Sequence, residues 1–331
     1  MNLITILGPT SSGKSQMAVD LAQTLISSGQ STVIISCDSR QIYQDLNIGT
    51  AKIAGQWQSY KLQIDKTSQS IHSLSTAYPH SAFFWQEVPH FLIDYVDPRL
   101  RYTLVNYLQD FISLVAALKN DVHNLILVGG TGLWAKAVAD QYQPGIIKSE
   151  FEIQYQDLKK TTVLQNLTQM QQQYLELVAS NISSTQLNQC DYQNPRRLIN
   201  WLLRYHSNKN NWTKELIYPE FDYSQTFAID VEQSLLKSRI ATNLNVRIAN
   251  GLVDETKTLI GIIGPDRLLE LGLEYKLAVK LLHEQLKYQD FLVLIHRQEW
   301  QYARRQLTWL RAQNLTWITG LDQIIKSLKS L

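Results

Sequence analysis

The sequence predicts an α/β fold in which helices connect the strands of a parallel β-sheet. Short apolar runs at 3–7, 32–36 and 125–128 predict buried strands. Between the first two runs, residues 16–25 place apolar side chains at helical spacing, which gives a crossover long enough to join parallel strands. This order of strand, helix and strand favours a parallel sheet over an antiparallel hairpin.

A glycine-rich motif with the pattern G-x-x-x-x-G-K-[ST] follows the first strand directly. A strand, a glycine turn and a helix start place backbone N–H groups around an anion, at the positive end of the helix dipole. Lys14 adds a positive charge for the terminal phosphates, and the Ser15 hydroxyl suits Mg²⁺ as a ligand. The motif predicts a phosphate-ester site, with a chance glycine turn as the alternative. It consists of Gly8, Pro9, Thr10, Ser11, Ser12, Gly13, Lys14 and Ser15.

Polar residues also follow two other predicted strands. The second strand ends at Cys37, next to Asp38, and the strand 125–128 leads into Gly129 to Gly132. Ligands of open α/β sheets bind at the carboxyl ends of strands, so we expect Asp38 beside the phosphate loop. The glycines permit close approach to an anion, with Thr131 as a hydroxyl donor. The alternatives are a solvated carboxylate or helix cap for Asp38, and a plain strand-to-helix turn for Thr131.

The chain divides into a core and an inserted segment. Residues 1–140 form the first part of the predicted phosphate-loop core, and 194–331 its second, mostly helical part. Between them, the break at Pro144-Gly145 and a glutamine-rich helical pattern indicate a small helical insertion domain at 141–193. Within the core, polar residues 53–81 predict an exposed excursion, and 226–231 predict one more strand.

Composition narrows the class of protein. The chain has 331 residues, 44% of them hydrophobic, and a net charge of +2, which is too mild to indicate a nucleic-acid partner by itself. We predict no membrane span and a cytoplasmic protein, because no apolar run reaches about eighteen residues and no leader-like segment precedes the first strand. The two cysteines form neither a disulfide framework nor a metal cluster.

The last long helix combines arginines with aromatic residues. That mixture suits a nucleic-acid strand through phosphate contacts and base stacking, and the alternative is a surface helix with a buried tryptophan. The residues concerned are Arg297, Tyr302, Arg304, Arg305, Trp309 and Arg311.

Taken together, these motifs resemble the tRNA dimethylallyltransferases, which prenylate the adenosine next to the anticodon. The resemblance covers nearly the whole chain and keeps the family's motif order. Beside the phosphate loop, it rests on D-S-R-Q-I-Y at 38–43 with I-G-T-A-K at 48–52, P-H-F-L-I-D at 89–94, G-G-T-G-L at 129–133 and Y-A-R-R-Q-L-T-W at 302–309.

The resemblance implies a fold, substrates and residue roles. It implies a P-loop NTPase-like parallel sheet core with a small helical insertion domain and a helical C-terminal part. The phosphate loop would hold the diphosphate of dimethylallyl diphosphate together with Mg²⁺. The residues in contact with the diphosphate would be Thr10, Lys14, Ser15 and Thr131. Asp38 would accept the proton of adenine N6, and Thr131 would share the catalytic centre. The protein would act as a monomer and bind the tRNA anticodon arm, with the insertion domain bound to the anticodon stem. The residues in contact with tRNA would be Asp38, Ser39, Arg40, Gln41, Arg196, Arg197, Arg304 and Arg305.

Some positions depart from the family pattern. Family members usually carry arginine where this chain aligns Gln233, Asn200, Asn243 and Trp300, and tyrosine where it has Trp134. Those arginines commonly face RNA or diphosphate, so their loss argues against strong tRNA affinity.

Three alternative functions remain: prenyl transfer to free adenine nucleotides, a P-loop small-molecule kinase, and a decayed homologue that only binds RNA. The sequence does not determine which tRNAs are modified.

Overall fold

The computed structural model describes residues 1–62, 81–144, 146–147, 157, 162, 165–179, 193–206, 212–213 and 216–329. The chain forms two compact units, one made of Met1–Tyr142 with Ile217–Leu331 and the other of Gln143–Leu216. Within the described ranges, no helix is both long enough and apolar enough to cross a membrane.

The first unit alternates strands and helices before it becomes mainly helical. Its strands are β1 (Asn2–Leu7), β2 (Thr32–Ser36), β3 (Gln56–Ser59), β4 (Ser81–Trp85), β5 (Val88–Phe91), β6 (Asn124–Gly129), β9 (Tyr223–Ile229) and β10 (Thr316–Ile318). Its helices are α1 (Lys14–Ser27), α2 (Leu104–Leu118), α3 (Gly132–Ala139), α6 (Gln233–Ala249), α7 (Leu252–Ile263), α8 (Pro265–Leu271), α9 (Leu273–Leu282), α10 (Tyr288–Arg311) and α11 (Leu321–Lys329). Strands β7 and β8 and helices α4 and α5 belong to the second unit.

The eight strands form one sheet in the order β10-β9-β1-β6-β2-β5-β4-β3. The first six of these pair in parallel, and the β3–β4–β5 end is antiparallel. In register, Leu7 lies beside both Gly129 and Ala228, and Ser36 lies beside Val128. The carboxyl ends of β1, β2, β6 and β9 therefore meet at one edge, where the phosphate loop begins.

Burial of both faces of the sheet explains why the strands are continuous apolar runs in the sequence. Parallel strands with helices on both faces bury both rows of side chains, and Ile4, Ile34 and Ile126 are completely buried in one cluster with α1. A second cluster, around Phe291 and Ile295, joins α10 to α7 and α9. This second cluster fixes α10, the longest helix of the unit, on the helical part of the fold.

The second unit contains β7 (Ile146–Ile147), α4 (Leu167–Ala179), α5 (Pro195–His206) and β8 (Trp212–Thr213). β7 and β8 pair antiparallel, and α4 packs on α5 through Met170 and Leu198. The unit thus extends to Leu216, past the predicted end of the insertion at 193, because α5 packs against α4. Arg196 and Arg197 belong to this unit rather than to the core.

The predicted strands and the early helices are present, with ends that differ by a few residues. The sequence prediction omitted β4 and both edge strands of the sheet, the exposed β3 and the three-residue β10. β3 lies inside the predicted excursion at 53–81, of which residues 63–80 lie outside the described part of the chain. Both edge strands are too short for a periodic pattern, and pairing with a neighbouring strand creates them.

Candidate active site

The phosphate loop connects β1 to α1 through a left-handed glycine. Gly13 has φ 90° directly before Lys14, the first residue of α1, so a side chain at 13 would be strained. A Cβ on Gly8 would lie 2.5 Å from Ser12 Oγ, which explains why the motif needs glycine there. Ser12 Oγ is buried and has no hydrogen-bond partner in the described part of the chain. The loop therefore presents an unsatisfied hydroxyl as well as its amides.

Lys14 places an ammonium group inside this loop. Its Nζ donates to the carbonyl of Pro9 at 3.3 Å, and no carboxylate lies within 4.0 Å of it among the described residues. Burial lowers the pKa of Lys14 below its ordinary value, while the negative charge of Asp38 acts in the opposite direction. Lys14 is partly buried, and removing a cation from water without a salt-bridge partner is costly, so an anionic ligand would compensate for that cost.

Asp38 lies beside the phosphate loop, as the sequence predicts. Its Oδ1 accepts hydrogen bonds from the backbone N–H groups of Arg40 at 2.9 Å and Gln41 at 3.3 Å. A Cβ built on Gly130 would lie 3.5 Å from Asp38 Oδ2 and 3.9 Å from Lys14 Cε. The carboxylate and the lysine thus converge on a backbone that glycine keeps open.

Thr131 connects the loop after β6 to the loop after β2. Its Oγ1 accepts a hydrogen bond from the Ser39 backbone N–H at 3.0 Å and donates to Ser39 Oγ at 3.2 Å. Trp134, one turn further on, stacks on Tyr107 with ring centroids 4.4 Å apart. The Tyr107 hydroxyl in turn donates to the carbonyl of Ser36, at the end of β2. Trp134 therefore has a packing role beneath the site.

Gln306 on α10 joins two loops that are far from it in sequence. Its Oε1 accepts a hydrogen bond from the backbone N–H of Thr10 at 2.8 Å, and its Nε2 donates to the carbonyl of Gly130 at 2.9 Å. One turn along, Trp309 lies against Gly132, where a Cβ would come within 2.1 Å of the indole ring. The sequence analysis included both residues in a motif but gave Gln306 no role, because nothing local indicates a contact across 296 positions.

A cavity of about 220 Å³ lies between α10 and the ends of β1 and β6. Leu7, Leu133 and Leu310 contribute apolar walls, and Trp309 and Arg305 line its α10 side. Ligand sites are usually concave and mostly apolar, with a few polar groups that fix the ligand's orientation.

α6 reaches the phosphate loop at one of the positions where the family usually has arginine. Asn243 Nδ2 donates a hydrogen bond to Ser11 Oγ at 3.0 Å, so a neutral amide meets the loop there. Trp300, another such position, packs with Ala303 and Leu307 in a cluster with α6. Gln233 is exposed at the first position of α6.

Glu255 on α7 holds the segment that follows Asp38. Its carboxylate accepts hydrogen bonds from the backbone N–H groups of Asn47, Ile48 and Gly49, at 2.8 to 3.1 Å, and from the Tyr275 hydroxyl. Three backbone donors on one carboxylate fix the I-G-T-A-K turn. The sequence analysis missed this residue, since an isolated glutamate in a helix gives no signal.

The predicted RNA-contacting residues lie in different parts of the fold. Arg40 is exposed beside Asp38, and Arg304 and Arg305 are exposed on α10. The Arg305 guanidinium lies 5.8 Å from the ring centroid of Tyr302. Arg196 and Arg197 lie on α5 of the second unit.

The fold and the site define an α/β protein with a P-loop-like core and a carboxylate beside the phosphate-loop motif. The chain matches the model of the IPP transferase family at residues 73–313 and that of the isopentenyl transferases at 1–63. It is 30% identical to tRNA dimethylallyltransferase 1 of Syntrophus aciditrophicus, over 97% of this chain and 94% of that protein. It is also 30% identical to tRNA dimethylallyltransferase 2 of Shewanella sediminis, over 98% and 95% of the two chains. The chain therefore belongs to the IPP transferase family and is a prenyltransferase.

Solved structures share the fold. The tRNA isopentenylpyrophosphate transferase of Bacillus halodurans superposes with a TM-score of 0.61 at 24% identity, over 99% of this chain and 94% of that one. A eukaryotic dimethylallyltransferase described as acting on tRNA gives a TM-score of 0.62 at 17% identity, over 94% of this chain and 70% of that one. The parallel-sheet core with a phosphate loop is thus the fold of this family.

Proposed function

We propose that this chain transfers a dimethylallyl group from dimethylallyl diphosphate to N6 of adenosine 37, next to the tRNA anticodon. The observation that supports it most is Lys14, a partly buried cation without a carboxylate partner among the described residues, close to Asp38 across Gly130. An anion-binding loop next to a carboxylate suits a reaction in which a diphosphate leaves and a proton is removed. The relatives' names supply the acceptor, tRNA.

The phosphate loop would hold a leaving group rather than donate a phosphoryl group. The amides of the loop, the Lys14 ammonium and the free Ser12 hydroxyl would bind the diphosphate oxygens. Thr10 would contribute its hydroxyl, because its N–H already donates to Gln306. Thr131 would place its hydroxyl on the opposite side, from the loop after β6.

A bound Mg²⁺ would neutralise part of the diphosphate charge. The Ser15 hydroxyl, in the first turn of α1, is the protein ligand that the loop offers. A hard oxygen donor next to phosphate oxygens fits Mg²⁺, which is usually held by few protein ligands together with substrate phosphates.

Asp38 would act as the general base. As adenine N6 attacks C1 of the dimethylallyl group, the C1–O bond breaks and the diphosphate leaves with the electron pair, while the N6 proton passes to Asp38. The two backbone N–H groups on Oδ1 orient the carboxylate, so that Oδ2 faces the open space at Gly130.

The tRNA would contact this chain on more than one element. Adenosine 37 must leave the anticodon stack to reach Asp38, which costs a few kcal/mol that contacts elsewhere have to offset. The candidates for these RNA contacts are Ser39, Arg40 and Gln41, which follow the proposed general base Asp38, together with Arg304 and Arg305 on α10. Arg196 and Arg197 on α5 would bind the anticodon arm, and one chain, a monomer, would suffice.

The proposal is tested by incubating the protein and Mg²⁺ with labelled dimethylallyl diphosphate and either bulk tRNA or AMP. We expect label to enter tRNA at the adenosine 3′ of the anticodon, with little or none in AMP. Transfer to AMP at a comparable rate would instead favour the free-nucleotide acceptor, and no transfer to either would refute the proposal.

A further inference from the structure

Trp309 on α10 forms a wall between two cavities of the first unit. The first cavity is the one of about 220 Å³ beside the phosphate loop, and the second has a volume of about 430 Å³. Leu7 and Trp309 line both cavities. On α10 the first cavity reaches back to Gln306, before Trp309, and the second reaches on to Gln313, after it. The indole therefore lies where the two cavities meet.

The same order is found on α3, which faces α10 across the cavities. Gly132 and Leu133, at the start of α3, line the first cavity. Lys136 and Asp140, further along the chain, line the second cavity and form an ion pair at 2.8 Å. The second cavity also extends over β9, which contributes Thr226. It thus continues the first cavity away from the phosphate loop.

The first cavity suits a short alkyl group. Two of its polar side chains are already engaged within the protein, because Gln306 bonds to Thr10 and Gly130 and Thr131 bonds to Ser39. Its leucine walls offer no hydrogen bond, which suits an alkyl chain better than a purine ring with its nitrogen atoms. Its volume also lies below the roughly 300–1,000 Å³ of sites that hold drug-sized ligands.

The first cavity is also close to the proposed diphosphate site. Gly8 of the phosphate loop lines it, and so does Gly130. A Cβ built on Gly130 would face Asp38 Oδ2 at 3.5 Å and Lys14 Cε at 3.9 Å. The alkyl chain of a diphosphate ester held by Lys14 can therefore enter the cavity while its first carbon stays near Asp38.

Trp309 is held in place from both sides. Its ring packs against Gly132, where any side chain would collide with the indole. One turn before it, Gln306 anchors α10 to Gly130, and one turn after it, Gln313 Nε2 donates to the Trp309 carbonyl at 3.3 Å. A wall that distinguishes ligands by length needs this kind of support.

We propose that Trp309 determines the length of the prenyl chain that this site accepts. The indole closes the first cavity behind a five-carbon chain. A ten-carbon chain has four more carbon–carbon bonds in its main chain, which lengthen it by about 5 Å, and it meets the indole. Without the ring, the additional length enters the second cavity. This inference rests on the donor named in the proposed function, because it takes a prenyl diphosphate as the ligand.

The experiment measures the binding of two unreactive donors, dimethylallyl and geranyl thiolodiphosphate, in which sulfur replaces the oxygen that bridges the alkyl group and the diphosphate. Calorimetry with Mg²⁺ and without RNA gives a Kd for each compound with the wild-type protein, Trp309→Ala and Trp309→Phe. The matched control is Trp300→Ala, which removes the same ring from the same helix. Trp300 packs towards α6 and lines neither of the two cavities.

We expect the wild-type protein to bind the dimethylallyl compound at least about tenfold more tightly than the geranyl compound, since one methylene more or less changes the selectivity of an apolar pocket about 10- to 200-fold. Trp309→Ala should bring the ratio of the two Kd values to about one or reverse it. Trp309→Phe should keep most of the preference, because a phenyl ring still fills the wall, and Trp300→Ala should keep all of it. A loss of folded protein affects both compounds equally and leaves the ratio unchanged.

Four outcomes would each overturn the inference: equal binding of the two compounds by the wild-type protein, binding of neither, an unchanged ratio in Trp309→Ala, or an equal change in Trp300→Ala. Transfer to tRNA from reactive dimethylallyl diphosphate is assayed separately. A binding ratio that shifts in Trp309→Ala, without transfer by the wild-type protein, would refute the proposed function and leave the inference standing. Transfer together with an unchanged binding ratio would do the opposite.

Discussion

The phosphate loop and α10 form two sides of one site, but they are specified in different ways. The loop is a local motif, in which eight consecutive residues supply the glycines, the lysine and the hydroxyl groups. α10 reaches the site from the other end of the chain through a single side chain, Gln306, which bonds both to Thr10 and to Gly130. The difference teaches that the proposed anion site is specified locally, whereas the alignment of the loops after β1 and β6 depends on a distant contact.

The largest effect should come from the carboxylate between these two sides. Asp38→Asn keeps an Oδ1 that can accept from Arg40 and Gln41, but it cannot take a proton. We therefore expect kcat for transfer to tRNA to fall about 10²–10⁴-fold, with diphosphate binding nearly unchanged. Steady-state kinetics and pyrophosphate binding measure the two quantities. Asp266→Asn, an exposed carboxylate in the first turn of α8, is the control. A rate close to wild type in Asp38→Asn would mean that the base lies elsewhere.

The next effect concerns the loop by itself. Lys14→Ala removes a charge-assisted contact of about 1.5–3 kcal/mol, or roughly a ten- to hundred-fold loss of affinity for dimethylallyl diphosphate. Isothermal titration calorimetry checks it, with Lys136→Ala, an exposed lysine of α3, as the charge-matched control. Wild-type affinity in Lys14→Ala would show that the ligand binds at a different place.

A pH series sharpens the same test. Since burial lowers the pKa of Lys14 in the free protein, the ammonium loses its proton at a lower pH than an ordinary lysine. Only the protonated form attracts the diphosphate, so affinity should fall as the pH rises through this lowered pKa. Lys14→Arg keeps its charge at every accessible pH and should lose this dependence. An identical alkaline profile in both proteins would contradict the assignment.

The smallest effect should come from breaking the connection between the two sides. Gln306→Ala leaves the N–H of Thr10 and the carbonyl of Gly130 without their partner, which should reduce the free energy of unfolding by about 1–3 kcal/mol. Urea denaturation measures it. Gln313→Ala is the matched control, because its side chain donates a hydrogen bond within its own helix end, to the carbonyl of Trp309. Equal losses in the two variants would show that the bridge adds no stability to the loops.

The sequence by itself determined the parts of this protein whose causes are local. The pattern of Gly8–Ser15 between a strand and a helix needs no distant partner, so the loop, its lysine and its glycine turn could be predicted. The position of Asp38 also followed, because carboxyl ends of neighbouring parallel strands share one edge.

Only the tertiary structure decided which distant side chains complete the site. The contacts of Gln306 with Thr10, of Asn243 with Ser11 and of Glu255 with the turn at 47–49 join residues more than 200 positions apart. A hydrogen bond between such residues leaves no periodicity in either segment, since each segment satisfies its own helix or turn pattern without it. The same reason applies to β10, whose three residues become a strand only because β9 offers an unpaired edge.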